Sequence, residues 1–430
     1  MEEKKINLLF YGDSPVGCDT GFSTVSKNIL KRLYKTGKYN ISVLAINYFG
    51  EPHNAPYRIY PAGINNQQDV YGRQRLLDLL RNKHNHFDVL FTLQDTFIMA
   101  TVGEAIQKLR DGSIVEKEVF NEETKQTEKR KVFQKGKGFK WVYYFPIDAV
   151  PKKEWIKKSV ALADVAIPYT NYAETQCRKF VDRIYNVIYH GFDKETFHPL
   201  SEEENNKFKK DLFGDKLDGK FLILNVNRNQ HRKGILETLI AFKLFNTIFP
   251  QSVLYTHCDL FDHAGINMLE VAESLGIKSN WFYPNPQKLA AGLRYPDSYI
   301  NNLYNIADVN ISTTYGEGFG LSMIESMAAK KINLFPKNTA IPEILGEDRG
   351  LMIECGNTPN LLITNGAIDN NLIRPKVDID DMVKKLLWIY THPAEVDKIE
   401  ERAYTWALEN MNWDKIANQF DELIINSLNK

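Results

Sequence analysis

Apolar residues in this chain come in short runs separated by stretches with helical spacing. Residues 6–11 form the first run, ending at Gly12, and 41–47, 86–95 and 141–145 repeat it. Between the first two, 24–35 sets Ile29, Leu30 and Leu33 opposite Lys27, Lys31, Arg32 and Lys35, as in an amphipathic helix. The second half repeats the scheme, with strand-like runs at 221–227, 252–257 and 308–313 and helices starting at Leu236 and Leu321. From Met382 onward the pattern is helical to the end. Buried strands alternating with helices predict an α/β chain of parallel, doubly wound sheets.

One segment breaks the alternation. Residues 111–138 hold two runs, Val115 to Phe120 and Glu128 to Phe133, that alternate around a polar turn and predict an inserted β-hairpin. Its clustered cations, Lys129, Arg130, Lys131, Lys135 and Lys137, read as a solvated ribbon or as an acceptor or oligomer contact.

The densest chemistry lies at 312–331. A strand runs into Gly316, Gly318 and Gly320, and a helix begins at Leu321. A strand, a glycine turn and a helix N-terminus present backbone N–H groups to an anion, and glycine admits a ligand close to the backbone. Glu317 lies in the turn, and Glu325 shares a helix face with Leu321 and Ala328 rather than a polar face. A carboxylate beside such a turn can accept both hydroxyls of a ribose. It can equally be a first-turn glutamate that favours the helix dipole. A second candidate cluster, Arg228, Arg232 and Lys233, follows the 221–227 strand. Cations at a helix start oppose its dipole unless an anion arrives, so they suit an anionic ligand or, if solvated, an ordinary helix start. Asp95 and Asp148 fall at the carboxyl ends of strands, where open α/β sheets place their ligands.

Composition narrows the classes. A length of 430 residues suits two domains. Basic and acidic residues balance at 54 each, which argues against non-specific nucleic-acid binding but leaves local basic patches open. The four cysteines form no C-x-x-C pair, which suits a reducing cytoplasm and gives no metal signature; no metal ligand set or cofactor is expected. No run reaches the ~18 apolar residues of a membrane span, and no signal peptide is read at the start. Lys27 to Lys38, or Trp155 among Lys152, Lys153, Lys157 and Lys158, suits either peripheral membrane contact or an ordinary solvated surface.

The stretch Glu317-Gly-Phe-Gly-Leu-Ser-Met-Ile-Glu325 resembles the E-x7-E signature of retaining GT-B glycosyltransferases of family 4. Other segments agree. Arg228 to Gly234 resembles the family's R-x4-K-G element, and Thr20-Gly-Phe-Ser its first loop. Residues 187–199 resemble its linker, with His190 in place of the usual asparagine, and Trp281 to Pro286 the loop along the base. Phe145-Pro-Ile-Asp148 is similar to a subset in which the aspartate lies near the acceptor; many relatives place a histidine in this vicinity. The resemblance is strongest over 187–355 and absent at 111–138, and 357–376 is atypical.

It implies two Rossmann-like domains facing a cleft, at 1–195 and 196–410, with residues 411–430 a helix returning to the first. It implies a cytoplasmic, metal-independent, retaining transferase acting on a nucleotide-sugar. Arg228, Lys233, Glu317 and Asp148 are the implied catalytic groups. Gly21, Arg232, Gly318, Phe319, Gly320, Leu321 and Glu325 would bind the donor, and Asp95 and Asp148 would face the acceptor. The acceptor stays open among glycan, lipid-linked glycan, protein and modified DNA base. Rival readings are a non-catalytic nucleotide- or glycan-binding shell and a nicotinamide-dependent dehydrogenase. The latter is disfavoured because no G-x-G-x-x-G follows the first strand.

Overall fold

The computed structural model describes residues 4–18, 20–63, 69–121, 126–290 and 294–429. Its first sheet contains β1 (Ile6–Asp13), β2 (Tyr39–Ile46), β3 (Arg58–Pro61) and β4 (Val89–Leu93). The inserted β5 (Gly112–Asn121) and β6 (Gln126–Lys135) stand outside it, and β7 (Lys140–Phe145) and β8 (Val165–Pro168) complete it. The second sheet contains β9 (Phe221–Val226), β10 (Ser252–His257), β11 (Trp281–Phe282), β12 (Val309–Ile311), β13 (Asn333–Pro336) and β14 (Leu351–Ile353). Each sheet has six strands, ordered β3-β2-β1-β4-β7-β8 and β11-β10-β9-β12-β13-β14. Every pairing within them is parallel.

Both orders reverse direction beside their first strand, the Rossmann pattern, so each sheet has a topological switch point where a crevice opens. In the first sheet this lies between β1 and β4, and in the second between β9 and β12. All five residues of β4 and all three of β12 are buried, because helices cover both faces. Asn310, on β12, donates to Asn333 Oδ1 at 2.8 Å, so the polar position in that strand serves sheet packing.

Element ends differ modestly from the sequence expectation. The first helix starts at Gly21 rather than 24, because the Thr20 hydroxyl caps it by accepting from the Ser23 amide at 3.0 Å. The second-sheet helix starts at Ile235 rather than Leu236, and the helix at Leu321 starts as expected. Asp378 caps helix Ile379–Thr391 by accepting from the Asp381 amide. Strands β5 and β6 pair antiparallel in register Gly112↔Lys135, and the turn at 122–125 lies outside the described residues.

The closing helix, Trp413–Leu428, returns to the first sheet. Phe420 lies 5.6 Å from Phe91 and 4.8 Å from Tyr144, ring to ring, and Tyr39 donates to Asp421 at 2.6 Å. One apolar core runs through both halves, from Phe10 and Tyr144 by way of Ile188 to Phe319 and Met323. The atypical segment folds back as a short ribbon, β15 (Leu362–Ile363) against β16 (Arg374–Pro375).

Candidate functional site

The two switch points face each other, and the implied residues gather there. On the second sheet, Gly234 joins the Arg228–Lys233 turn to its helix in a left-handed conformation with φ of 61°. A Cβ there would stand 2.3 Å from the Thr313 carbonyl, so the turn lies directly on the strand end that leads to the glycines. This contact puts Lys233 beside Glu317, Nζ to Oε1 at 2.6 Å, both nearly buried. Arg232 reaches Glu317 Oε2 at 3.6 Å and Asp148 Oδ2 at 3.3 Å, and it donates to the Gly316 carbonyl.

Burial and charge pull against each other here. Burial raises the Glu317 carboxyl, but Lys233 and Arg232 more than offset it and hold it below the usual glutamate value. Burial lowers the Lys233 ammonium, and Glu317 restores only part of that. Burial also acts against the Asp148 carboxylate, yet Arg232 and Arg374 keep it below its ordinary value.

The glycine turn serves two purposes. Gly320 has φ of 97°, a conformation that side chains rarely adopt, and it opens helix Leu321–Ala328 without a side-chain cap. The amides of Gly318, Phe319, Gly320 and Leu321 have no acceptor among the described residues. Unpaired N–H groups at a helix start suit an anion. Gly316 and Gly318 also allow the two halves to touch. A Cβ on Gly316 would lie 2.0 Å from the Asp148 carbonyl, and one on Gly318 would lie 2.6 Å from Pro146 Cβ.

The other candidates are placed as follows. Gly21 starts the first helix across from Leu321, whose Cδ1 would be 3.4 Å from a Cβ there. Phe319 is buried in the interdomain core, its ring 4.6 Å from His190. Glu325 is half-buried and accepts from the Tyr304 hydroxyl at 3.1 Å; burial first of all pushes its carboxyl up to about 7. Arg228 pairs with Asp262 at 2.8 Å, its side chain 55% exposed. Asp95 follows β4 and caps no helix amide with its side chain. His190 is buried, its Nδ1 2.7 Å from the Tyr144 hydroxyl, and burial lowers it to about 3, a structural histidine. Trp155 is half-buried against Phe97, with Lys152 Nζ 5.2 Å above its ring.

Two groups at the site were not foreseen from the sequence. Arg374 on β16 enters between the halves, only 4% exposed, and binds Asp148 and Asp369. Asp13, at the end of β1, accepts from Thr20 at 2.5 Å and Asn47 at 3.3 Å. The carboxyl end of β1 was a signal for Asp13 comparable to that for Asp95; nothing local marks Arg374. Among the described residues no group of three or more His, Cys, Asp or Glu could hold a metal ion, and no helix is long and apolar enough to cross a membrane.

No family model and no curated protein sequence matches this chain. Solved structures do. Sucrose-phosphate synthase from Thermosynechococcus elongatus superposes with a TM-score of 0.71 over 98% of this chain and 99% of its own, at 15% identity. Anabaena HepE in complex with UDP and glucose gives 0.69 over 98% and 100%, also at 15% identity. A glycosyltransferase from Rickettsia africae gives 0.66 over 99% of each chain, at 15% identity. At such identity the likeness establishes architecture over nearly the whole length. The chain has the GT-B fold, two Rossmann-like domains facing a cleft with a closing helix that crosses back to the first.

Proposed function

We propose that this chain is a glycosyltransferase that moves a sugar from a nucleoside-diphosphate donor to an acceptor hydroxyl, with retention of configuration and without a metal, in the cytoplasm. One arrangement carries the reading. Lys233, Arg232, Glu317 and the unpaired amides of Gly318 to Leu321 converge at the switch point of the second sheet, one helical turn from Glu325. The amides and Lys233 would hold the diphosphate, with Arg228 joining from the rim. Glu325 would hold the ribose, and Glu317 would turn to the sugar hydroxyls. As the bond to the sugar breaks, charge collects on the leaving oxygen, and preorganised donors stabilise it. Each charge-assisted hydrogen bond is worth ~1.5–3 kcal/mol. The leaving phosphate would take the acceptor's proton on the same face, which needs no protein nucleophile. Asp95 and Asp148 would lie on the acceptor side. A glycan is the first acceptor class to test, ahead of lipid-linked glycan, protein and modified DNA base.

A thermal-shift panel of nucleotide-sugars, led by the UDP-glucose type because HepE carries UDP and glucose, tests donor binding. No stabilisation by any donor would sink the reading. The saturation of Lys233 by Glu317, and of Arg232 by Asp148 and Glu317, favours one rival, a shell that grips nucleotide or glycan without turnover. Donor hydrolysis, with and without acceptor, separates the two.

A further inference from the structure

The amino end of the first sheet, away from the cleft, holds a cavity of about 790 Å³. Its floor follows from the strand pattern. Asn7 lies opposite Asn40, and Leu9 opposite Ser42, which in turn lies opposite Arg58, so these side chains share one sheet face. Further along that face, Tyr11, Leu44 and Ile46 pack with Leu76, Leu77 and Leu80 of helix Arg73–Arg81. The opposite face is apolar from its start, with Ile6 and Leu8 beside Ile41 and Val43. Parallel sheets bury both faces and read as apolar runs. Here the helix covers only the carboxyl half of its face, and the other half carries Asn7, Asn40, Ser42 and Arg58, none of them fully buried. Strand β3 begins at Arg58, so residues 39–41 of β2 have no strand beside them on that edge. The cavity takes in this notch together with Tyr34 and Tyr57, whose rings meet at 63° with centroids 6.0 Å apart.

The lining is chemically one-sided. Lys5 and Arg58 have no ion-pair partner among the described residues, and the His84 ring has no hydrogen-bond partner among them. No carboxylate lines the cavity among the described residues. Asp88, close by in sequence, is spent on the Asn7 amide at 2.8 Å and on His86 Nε2 at 3.2 Å. Asn40 donates to Asn7 Oδ1 at 3.2 Å, which leaves Asn7 Nδ2 and Asn40 Oδ1 for a ligand. The hydroxyls of Tyr34, Tyr57 and Tyr60 have no partner among the described residues either. A concave surface with cations of one sign draws an anion. Amides, hydroxyls and aromatic rings recognise the hydroxyls and apolar faces of a sugar. Rings tilted at 63° make angled walls rather than the parallel slot that a flat base would need. The volume falls within the ~300–1,000 Å³ of ordinary ligand sites.

We propose that this cavity binds an anionic saccharide, with the acid group on Lys5 and Arg58 and the sugar hydroxyls on Ser42 and the Asn7–Asn40 pair. The site is independent of the glycosyl-transfer reading. Asn7 lies six residues before Asp13 on β1, ~20 Å along the strand from the cleft, so a ligand here is held and does not react. Carboxylate, sulfate and phosphate groups share the required charge, and the probes below separate them.

The test titrates the full chain calorimetrically with a hyaluronan tetrasaccharide, a heparin tetrasaccharide, glucose 6-phosphate, neutral maltotetraose and AMP. At least one acidic saccharide should bind about tenfold tighter than both maltotetraose and AMP. The double variant Lys5→Ala, Arg58→Ala should weaken that binding about tenfold; both residues are exposed, so the fold is kept. The variant Lys152→Ala, Lys153→Ala removes the same charge elsewhere on the surface and should change it less than twofold. Tyr34→Ala, at a residue 40% exposed, removes a wall without changing charge and should weaken binding at least threefold. The proposal is overturned if no acidic saccharide binds, if maltotetraose or AMP matches the tightest of them, if the two double variants lose affinity equally, or if Lys5→Ala with Arg58→Ala, or Tyr34→Ala, leaves affinity unchanged.

Discussion

Arg374 donates from Nη1 to the main-chain carbonyl of Asp148 at 2.6 Å and from Nη2 to its carboxylate at 3.3 Å, across 226 positions of sequence. Asp369, five residues before it, braces the same guanidinium through Nε at 2.5 Å. A short ribbon in the second domain thus grips the strand end of the first. Arg374→Met leaves Asp369 without its cation and Asp148 with only Arg232. Breaking a buried pair costs about 3–5 kcal/mol. Asp148 is a third exposed, so the lower end is expected, about 3 kcal/mol. Denaturant titration of Arg374→Met and Arg374→Lys measures it, and the lysine variant should recover part of the loss.

The glycines separate backbone strain from domain contact. Gly320→Ala forces a side chain onto φ of 97° and should cost ~1–3 kcal/mol through the backbone, with the Met323 methyl, 3.2 Å from the added Cβ, the nearest side-chain atom to give way. Gly316→Ala would drive a methyl into the Asp148 carbonyl, so its effect falls on the contact between halves. Small-angle scattering should show a larger radius of gyration for Gly316→Ala and an unchanged one for Gly320→Ala.

These two cases show what the sequence made legible. The strand, turn and helix around Gly316–Leu321 were readable because glycine spacing and helical period are local, and so was the parallel α/β class. Lys233 and Glu317 were readable as candidates through the family resemblance, though not their 2.6 Å pairing. Arg374 was not, because its partner is 226 positions away and its ribbon follows neither strand nor helix period. The glycines were read as room for a ligand; the close approach that a Cβ would obstruct at Gly316 and Gly318 is to Asp148 and Pro146. Local pattern reports that backbone approaches something, never what it approaches.

Lys233 and Glu325 should fail differently. Lys233→Ala removes a cation aimed at the leaving group, so turnover should fall about 10²–10³-fold with donor KM little changed. Glu325→Ala removes a ground-state contact, so donor KM should rise with turnover nearly intact. Steady-state kinetics of donor cleavage checks both, and unchanged constants in both variants would remove the assignment.

Glu325 also sets a pH dependence whose sign can be worked out. Its carboxyl is pushed up to about 7 in the fold, against an ordinary value near 4.5. Between those values the folded chain holds a proton that the unfolded chain has released. The unfolding free energy therefore declines as pH rises across that window. Glu325→Gln, which never ionises, should match the wild-type melting temperature near pH 4.5 and exceed it at pH 8. Nucleotide binding should run the opposite way, because the ionised carboxylate accepts both ribose hydroxyls and the protonated one does not accept as well. Affinity for a nucleotide-sugar, whose diphosphate has no ionisation of its own between pH 6 and pH 8, should strengthen as pH rises through about 7, and this dependence should shrink in Glu325→Gln. Calorimetric titration at pH 6 and pH 8 reads the effect directly, and a pH-independent affinity in the wild-type chain would place the ribose elsewhere.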